Sequence, residues 1–258
     1  MNFFSSISSI SCAEPDANDV VKCFSSTELK GINCLLINMP IREQATPNNA
    51  PLGLCLLAAQ LKKFGAMAQI LDLNSYRIHD NYSSSKNLIN GRVLLKEEAE
   101  NKIKDYLKIR QYDLIALSGL ITTLSWQKLV LKIVKKLSPS SYVVSGGGLA
   151  TEFREDLVKW MPKLDGIAHS EGDNIILKIA RDAYRIKKKS NISDKEKAEI
   201  ISPSKAVIHA DNLYAIYKGG RPKNLDKLPL PDWDLLAKDL NDEPILERYI
   251  NAPIWGKE

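Results

Sequence analysis

The stretch VVSGGGLATEF (Val143–Phe153) passes from an apolar run through three consecutive glycines directly into a helical pattern. The apolar run is short and β-branched, which is typical of a buried strand. Consecutive glycines usually occur where the backbone takes a positive φ or where another group approaches it closely. The stretch therefore predicts a strand–turn–helix unit whose turn is shaped for close contact.

The same alternation of strand and helix recurs along the chain. Strands are predicted at 32–38, 68–73, 112–118, 141–145 and 164–169, helices at 52–64, 93–110, 125–137, 150–160 and 174–187, and a polar loop at 74–91. Strands that alternate with helices indicate a parallel sheet covered on both faces. We therefore expect an α/β fold with a doubly wound, five-stranded parallel sheet, Rossmann-like or flavodoxin-like in type.

Three regions are expected along the chain. Residues 1–30 contain a serine-rich segment without a basic leader, which predicts a disordered arm rather than a signal peptide. Residues 31–188 hold the alternating strands and helices. Residues 189–258 contain a charged linker, a β-hairpin and the proline-punctuated segment NLDKLPLPDWDLL (Asn224–Leu236), which predicts an extended connector.

Composition places the chain among ordinary globular proteins, with 44% hydrophobic residues, 26% charged residues and a formal net charge of +5. No apolar run is long enough to span a bilayer, and no basic stripe with interleaved aromatic residues suggests a nucleic-acid surface. The cysteines Cys12, Cys23, Cys34 and Cys55 form no C-x-x-C pair, which predicts reduced structural thiols and neither a zinc site nor a disulfide. We expect a cytoplasmic protein that binds neither membrane nor nucleic acid.

Three common ligand-binding motifs are absent. The loop after the first strand, NMPIREQATPNNAPLG (38–53), lacks the G-x-G-x-x-G of dinucleotide-binding folds. The triple glycine is followed by Leu149 and Ala150, not by the lysine and hydroxyl of a phosphate-binding loop. A phospho-acceptor domain needs aspartates at the ends of the first and third strands, where this chain has Asn38 and Ser118.

The sequence also lacks the arrangement of a nucleophilic hydrolase. Ser118 and Ser145 lie near strand ends, but neither stands in a G-x-S-x-G elbow. The three histidines are interpreted as solvated or hydrogen-bonded. We assign no catalytic residue, and acid–base chemistry by Asp72, Glu171 or Asp173 stays open as an alternative.

Loops rich in small and hydroxyl-bearing residues follow three of the predicted strands: SGLITT (Ser118–Thr123), GGGLAT (Gly146–Thr151) and SEGD (Ser170–Asp173). The carboxyl ends of parallel strands meet at one edge of the sheet, where ligands of such folds bind. Backbone N–H groups at helix starts suit carbonyl-rich or anionic ligands. We therefore expect a bulky, polar-edged cofactor at this edge, the alternative being that the glycines only tighten turns.

Five segments, in order, carry a family resemblance. They are PNNAPLGLCLLAAQLKKFGAMAQILDLN (Pro47–Asn74), LSGLITT (Leu117–Thr123), VVSGGGLAT (Val143–Thr151), HSEGD (His169–Asp173) and NLDKLPLPDWDLL (Asn224–Leu236). Together they resemble the cobalamin-binding domain that precedes the barrel of many cobalamin-dependent radical SAM enzymes of the class B methyltransferase type. The resemblance covers about residues 32–236.

The resemblance implies a cobalamin-binding fold and a set of contact residues. Hydroxyls would bind the nucleotide tail of cobalamin, bare glycine backbone would lie against its benzimidazole, and the 171–173 turn would contact the tail or the ring amides. Two asparagines and a proline of the first loop would border the corrin face. The implied cofactor-binding residues are Asn48, Asn49, Pro51, Ser118, Gly119, Leu120, Thr122, Thr123, Gly146, Gly147, Gly148, Thr151, Glu171, Gly172 and Asp173.

One departure concerns the lower ligand of cobalt. Ser118-Gly119-Leu120 match the S-x-L element of methionine synthase and mutase domains, but the D-x-H-x-x-G element of those domains is absent. The resemblance therefore implies base-off cobalamin with no histidine ligand to cobalt from the first-strand loop. No metal ligand is assigned, and Tyr76, Arg77 and His79 are placed near the lower face of cobalt as a hypothesis.

A second departure concerns catalysis. Radical SAM enzymes hold a 4Fe-4S cluster through C-x-x-x-C-x-x-C, and no cysteine follows Cys55 here. NAPIWGKE (Asn251–Glu258) resembles the segment before the first cluster cysteine. The resemblance thus implies a module of a methyl-transfer system that is not catalytic alone, whose partner, a radical SAM barrel in a missing part or a separate subunit, would bind S-adenosylmethionine and the cluster. A stand-alone corrinoid carrier or sensor and a nucleotide-type α/β binding domain are the alternatives.

Overall fold

The computed structural model describes residues 8–9 (backbone only), 22–41, 49–88, 91–189 and 191–250. The strands are β1 (Ser8–Ser9), β2 (Asn33–Asn38), β3 (Met67–Asp72), β4 (Leu114–Ser118), β5 (Tyr142–Gly146), β6 (Gly166–His169), β7 (Lys205–His209) and β8 (Asn212–Lys218). The α-helices are α1 (Leu52–Lys63), α2 (Asn81–Ser85), α3 (Lys96–Ile109), α4 (Leu124–Leu137), α5 (Gly148–Phe153), α6 (Leu157–Trp160), α7 (Gly172–Lys188), α8 (Asp194–Ile201) and α9 (Leu246–Ile250).

Five strands form the parallel part of the sheet that the sequence predicts. They lie in the order β3-β2-β4-β5-β6 and are mostly buried, as parallel strands covered on both faces should be. After β2 the chain forms β3 on one side of it in the sheet, whereas after β4 it forms β5 on the opposite side. The direction of winding therefore reverses between β2 and β4. At this switch point Asn38 lies directly opposite Ser118. The α/β class and the parallel arrangement are confirmed.

The sheet is nevertheless larger than expected. The predicted hairpin, β7 and β8, joins it because β8 pairs in parallel with β6 while β7 pairs antiparallel with β8, and the two-residue β1 adds to β7. The prediction of five strands with a separate hairpin is therefore wrong. Residues 213–217 of β8 are all buried, so this strand needs neighbours on both sides. Its turn residues Ala210 and Asp211 have φ values of 47° and 61°, as a tight two-residue hairpin requires.

Helices cover both faces of the sheet. On one face α1 packs against α7, and α7 also contacts β4, β5 and β6. On the other face, where right-handed crossovers place them, α3 packs against α4. Cys34 of β2 and Cys55 of α1 are buried free thiols, and burial raises the pKa of Cys55 to about 12. Among the described residues, no helix combines the length and apolarity needed to cross a membrane.

The charged segment after residue 188, expected to be a linker, contains the helix α8. Its start is a capping box in which the Ser193 hydroxyl accepts from the backbone N–H of Glu196 and the Glu196 carboxylate accepts from that of Ser193. At its end Ile201 is buried against the sheet. The low apolar content concealed this helix because only one of its residues is fully buried.

Ser193→Ala is expected to lower the free energy of unfolding by about 1 kcal/mol, because loss of the hydroxyl leaves the Glu196 N–H at the start of α8 without its acceptor. Urea denaturation followed by circular dichroism measures the change. Glu199→Ala, at an exposed position of the same helix, is the control and should be neutral or slightly stabilising. Equal effects of both substitutions would contradict the capping role.

Two other predicted elements differ in detail. The helix predicted at 150–160 is broken into α5, a 3₁₀ turn at Arg154–Asp156 and α6, because Arg154 has a φ of 43°. The loop predicted at 74–91 contains α2 and a bridge between Ile78 and Arg92. Only the tertiary structure reveals these local features.

The predicted arm is ordered over the part that the structure describes. Residues 22–31 form turns in which Leu29 is fully buried and its N–H donates to the Phe64 carbonyl at 3.0 Å. Phe24 packs edge-on against Phe64. The expectation of disorder for residues 1–7 and 10–21 concerns residues outside those that the structure describes.

The predicted extended connector folds back onto the β3 edge of the sheet. We call residues 232–250 the C-terminal segment; it contains a 3₁₀ turn at Trp233–Leu236, a bridge between Lys238 and Pro244, and the helix α9. A 3₁₀ turn also forms at Leu225–Lys227, so of residues 225–236 only 228–232, around the two prolines, lack helix and strand. The expectation of an extended connector therefore fails for the C-terminal segment, and NAPIWGKE lies outside the described residues.

Candidate functional site

A cavity of about 370 Å³ lies at the carboxyl ends of the parallel strands, beneath α1 and α7. Its floor comes from three neighbouring strands and is small at most positions: Ala116 and Ser118 of β4, Val144 and Gly146 of β5, and Ala168 of β6. Alternate residues of a strand point to the same face. The register aligns Ser118 with Gly146, so these small residues together leave room between the sheet and the helices.

The walls of the cavity are apolar and come from the two helices. Leu54 and Leu57 of α1 face Ile175, Ile176 and Ile179 of α7. Apolar walls with a few polar groups at the mouth are typical of sites for small molecules and cofactors.

The three glycines of the opening stretch have different roles. A Cβ atom placed on Gly146, which lines the cavity, would make only ordinary van der Waals contacts, the nearest at 3.8 Å, so there is room for a small group beside it. Gly147 has a φ of +81°, and its Cβ would lie 3.1 Å from the Gly119 carbonyl oxygen, so the turn itself requires glycine. On Gly148 a Cβ would lie 2.9 Å from a methyl group of Leu120. One glycine therefore creates space, and the other two bring the loops together.

The loop after β4 is held by its own hydrogen bonds. The Thr123 hydroxyl donates to the Leu120 carbonyl at 2.8 Å, and a Cβ on Gly119 would lie 2.2 Å from that hydroxyl. The backbone N–H of Leu149 donates to the Gly119 carbonyl at 3.2 Å, which joins this loop to the glycine turn. In the neighbouring turn the Thr151 hydroxyl accepts from the Ser170 N–H at 3.2 Å.

The structure brings about half of the predicted cofactor-binding residues to the cavity. Those that line it are Pro51, Ser118, Gly146, Gly147, Glu171, Gly172 and Asp173. Those that shape the surrounding loops are Gly119, Leu120, Thr123, Gly148 and Thr151. Asn49 and Thr122 are exposed and do not line the cavity, and Asn48 lies outside the described residues.

The three residues placed by hypothesis near cobalt do not line the cavity either. Tyr76 is buried, and its hydroxyl donates to Asp239 of the C-terminal segment at 2.6 Å. Arg77 donates to the Asn74 and Tyr76 carbonyls at 2.8 Å. His79 is exposed. In this structure Tyr76 and Arg77 stabilise the loop after β3.

Sequence reasoning missed two polar residues of the cavity. Asn38 ends β2 at the switch point and is 7% exposed, and His169 ends β6 and is 3% exposed, with its Nδ1 3.1 Å from the Ser170 hydroxyl. In the sequence, Asn38 at the end of the first predicted strand only excludes a phospho-acceptor site. The position of this strand end at the switch point of the sheet is the signal that could have identified Asn38.

A buried polar network joins Asn38 to the C-terminal segment. The Asn38 Nδ2 donates to Asp72 Oδ1 at 2.8 Å, and the Tyr249 hydroxyl donates to Asp72 Oδ2. The Asn74 N–H also donates to Asp72 Oδ1 at 3.0 Å, and the Asn74 side chain accepts from the Ile41 N–H at 2.9 Å. Burial raises the pKa of Asp72, and these donated bonds oppose that rise. The network fixes the start of the loop after β2.

The mouth of the cavity carries negative rather than positive charge. Glu171 and Asp173 lie at the start of α7, and no lysine or arginine occurs among the described residues that line the cavity. The N-cap residue of α7, Glu171, makes no side-chain hydrogen bond to the start of this helix. In the part of the chain that the structure describes, no group of three histidine, cysteine, aspartate or glutamate residues could hold a metal ion.

Comparisons with known proteins point to one class of fold. No family model matches the chain, and no curated protein matches it either. Among solved structures, the cobalamin-dependent S-adenosylmethionine radical enzyme OxsB with aqua-cobalamin and S-adenosylmethionine bound matches with a TM-score of 0.55 and 16% identity, over 81% of this chain and 25% of the OxsB chain.

A second solved structure gives a similar match. The radical S-adenosylmethionine methyltransferase TsrM from Kitasatospora setae, with cobalamin and a 4Fe-4S cluster bound, has a TM-score of 0.50 and 16% identity, over 78% of this chain and 31% of the TsrM chain. This chain thus spans about a quarter to a third of the length of these enzymes. At these identities the likeness shows a shared fold.

Proposed function

We propose that this chain is a cobalamin-binding module that works with a radical SAM domain in methyl transfer. The observation that carries the proposal is the apolar cavity at the switch point, whose floor of small residues leaves the space beside Gly146 open. In the proposal this cavity takes the nucleotide tail of base-off cobalamin. The similarity to OxsB and TsrM supports the choice of cofactor, since both structures contain bound cobalamin.

The residues of the cavity fit such a tail. A flat aromatic base would lie over Gly146 and Ala168 between the apolar walls of α1 and α7. Ser118 and Asn38 would bind hydroxyl or amide groups at the switch point, and the backbone N–H groups of Gly172 and Asp173 at the start of α7 would bind oxygens at the mouth. When bound, cobalamin supplies a cobalt centre that carries a methyl group. The chain's own part is to bind, orient and partly enclose the cofactor.

The module would need a partner for catalysis. The chain has no C-x-x-x-C-x-x-C motif, so we propose that S-adenosylmethionine and the 4Fe-4S cluster bind to a radical SAM barrel in the same system. OxsB and TsrM are both longer than this chain, which agrees with a division of labour between a cofactor-holding part and a catalytic part.

The charge of the cavity argues against a nucleoside di- or triphosphate. The polyphosphates of such ligands are usually bound by lysine, arginine or a glycine-rich loop. Here Glu171 and Asp173 border the mouth, and neither lysine nor arginine occurs among the described lining residues. The tail of cobalamin carries a single phosphodiester beside its base and sugar, which requires less positive charge than a polyphosphate.

Reconstitution tests the proposal. The purified chain is incubated with cob(II)alamin under anaerobic conditions, separated by gel filtration and examined by visible and electron paramagnetic resonance spectroscopy. We expect a stoichiometric corrinoid to elute with the protein and to show the base-off spectrum. Adenosine triphosphate in the same assay serves as the nucleotide control. Elution of the protein without corrinoid contradicts the proposed function.

A further inference from the structure

The side-chain amide of Asn38 is held in one orientation by a chain of buried hydrogen bonds. Its Nδ2 donates to Asp72 Oδ1 at 2.8 Å. Both oxygens of Asp72 act as acceptors, since Oδ1 also accepts from the Asn74 N–H at 3.0 Å and Oδ2 accepts from the Tyr249 hydroxyl. The nitrogen and not the oxygen of the Asn38 amide must therefore face Asp72.

Tyr249 completes the chain from outside the cavity. Its hydroxyl donates to Asp72 Oδ2, and Tyr249 itself does not line the cavity. Asp72 is 3% exposed, so each of its oxygens depends on donors from the protein. Oδ1 accepts from the Asn38 side-chain amide and the Asn74 N–H, whereas Oδ2 accepts from the Tyr249 hydroxyl. Tyr249 therefore secures the oxygen that the other two donors leave unpaired.

The consequence is an acceptor at the cavity. With Nδ2 committed to Asp72, the Oδ1 atom of Asn38 is the part of this amide left for a ligand, and no donor among the described residues bonds to it. Asn38 lines the cavity at the switch point, opposite Ser118. A ligand group at this point must therefore donate an N–H or an O–H.

We propose that Asn38 is a specificity-determining acceptor for a primary amide or hydroxyl of the ligand, and that Tyr249 of the C-terminal segment is a positioning residue that acts on Asn38 through Asp72. This inference rests on the proposed function, because cobalamin carries primary amides around its ring and hydroxyls on its tail. The inference adds that the C-terminal segment controls the polarity of the cofactor cavity through Tyr249, which is 177 positions from Asp72 in the sequence.

A matched pair of tyrosine substitutions tests the inference. Tyr249→Phe removes the hydroxyl from Asp72, and Tyr76→Phe removes a comparable buried hydroxyl from Asp239. The Tyr249 bond joins the C-terminal segment to the end of β3, and the Tyr76 bond joins it to the loop after β3. Only the acceptor of Tyr249, Asp72, is also bonded to Asn38. We expect Tyr249→Phe to weaken the Kd for cob(II)alamin by about 3- to 10-fold, as loss of one oriented hydrogen bond predicts, and Tyr76→Phe to leave the Kd within about 2-fold.

A ligand-free measurement follows the amide itself. The Asn38 side-chain signals in a ¹H–¹⁵N spectrum, assigned by their loss in Asn38→Ala, should keep their position in Tyr76→Phe and shift or broaden in Tyr249→Phe. Dicyanocobinamide, which has the ring amides but lacks the nucleotide, separates the two ligand sources. A Tyr249→Phe effect on both corrinoids assigns an amide, and an effect on cobalamin alone assigns a tail hydroxyl.

The outcomes are distinguishable. A wild-type chain that binds no corrinoid overturns the proposed function. If the wild-type chain binds corrinoid and both tyrosine variants weaken binding equally, docking of the C-terminal segment matters but positioning of Asn38 does not, and the inference fails. Unchanged Asn38 signals in Tyr249→Phe also overturn it.

Discussion

Gly146→Val is expected to abolish corrinoid binding, raising the Kd by roughly 100-fold or more, while the protein stays folded. The first carbon added at this position meets nothing closer than 3.8 Å, so the backbone does not have to move. The two methyl groups of valine would then occupy the space over the cavity floor that the proposal assigns to the cofactor tail. Valine also suits a strand, and Gly146 ends β5.

Two further substitutions sharpen this result. Gly146→Ala adds a single methyl group that makes only ordinary van der Waals contacts, and it should weaken binding much less than Gly146→Val. Gly147→Ala should instead lower the free energy of unfolding by about 1–2 kcal/mol, because residue 147 has a positive φ. Titration of cob(II)alamin and urea denaturation measure the two effects separately. Normal binding by Gly146→Val would place the cofactor elsewhere.

Lys178→Met is expected to cause the largest loss of stability, about 3–5 kcal/mol at pH 8. Lys178 and Asp182 form an ion pair on α7 whose side chains are completely buried, and Lys178 also donates to the Ile201 carbonyl. Methionine preserves the packing of the long side chain but leaves the buried Asp182 carboxylate with only the longer contact to Arg181, whose Nε lies 3.6 Å from Asp182 Oδ1. An unpaired buried charge costs far more than the pair itself contributes.

The pH dependence of that loss has a definite sign. Burial raises the pKa of Asp182 from its ordinary value to about 6 even beside Lys178. A carboxyl whose pKa is higher in the folded state destabilises that state when ionised, and the penalty is relieved as the pH falls through the folded pKa. The loss in Lys178→Met should therefore be smaller at pH 5 than at pH 8.

A double substitution is the control for this prediction. Lys178→Met combined with Asp182→Leu removes the unpaired carboxylate and should restore most of the lost stability at pH 8, as apolar replacements of buried ion pairs often do. Urea denaturation at both pH values gives the free energies. A double variant as unstable as the single one would mean that packing, rather than charge, explains the loss.

The sequence determined the main architecture because its signals are local. Short apolar strands separated by helices required a parallel sheet, and VVSGGGLATEF required a turn at the carboxyl end of one strand. Ligand-binding loops of such a sheet meet at one edge by geometry. Ser118, Gly146 and Asp173 could therefore be assigned to one edge of the sheet from the sequence alone.

Sequence patterns were insufficient for elements whose position depends on residues far away in the chain. The hairpin could be recognised, but not its pairing with β6, since pairing depends on which strand lies at the free edge. The helix α8 has a capping box but few apolar residues. The prolines of the connector predicted extended chain, whereas the residues after Pro231 pack on β3.

The details of the site belong to the tertiary structure alone. Ala116 and Ala168 look like ordinary core residues in the sequence, and only the strand register places them on one floor beside Gly146. Asn38 and Tyr249, far apart in the chain, share Asp72 as a hydrogen-bond acceptor only in the folded protein. The sequence by itself determined the edge at which the cavity lies, since strand direction is encoded locally. The volume and polarity of the cavity depend on contacts between residues remote in sequence, so only the folded chain decides them.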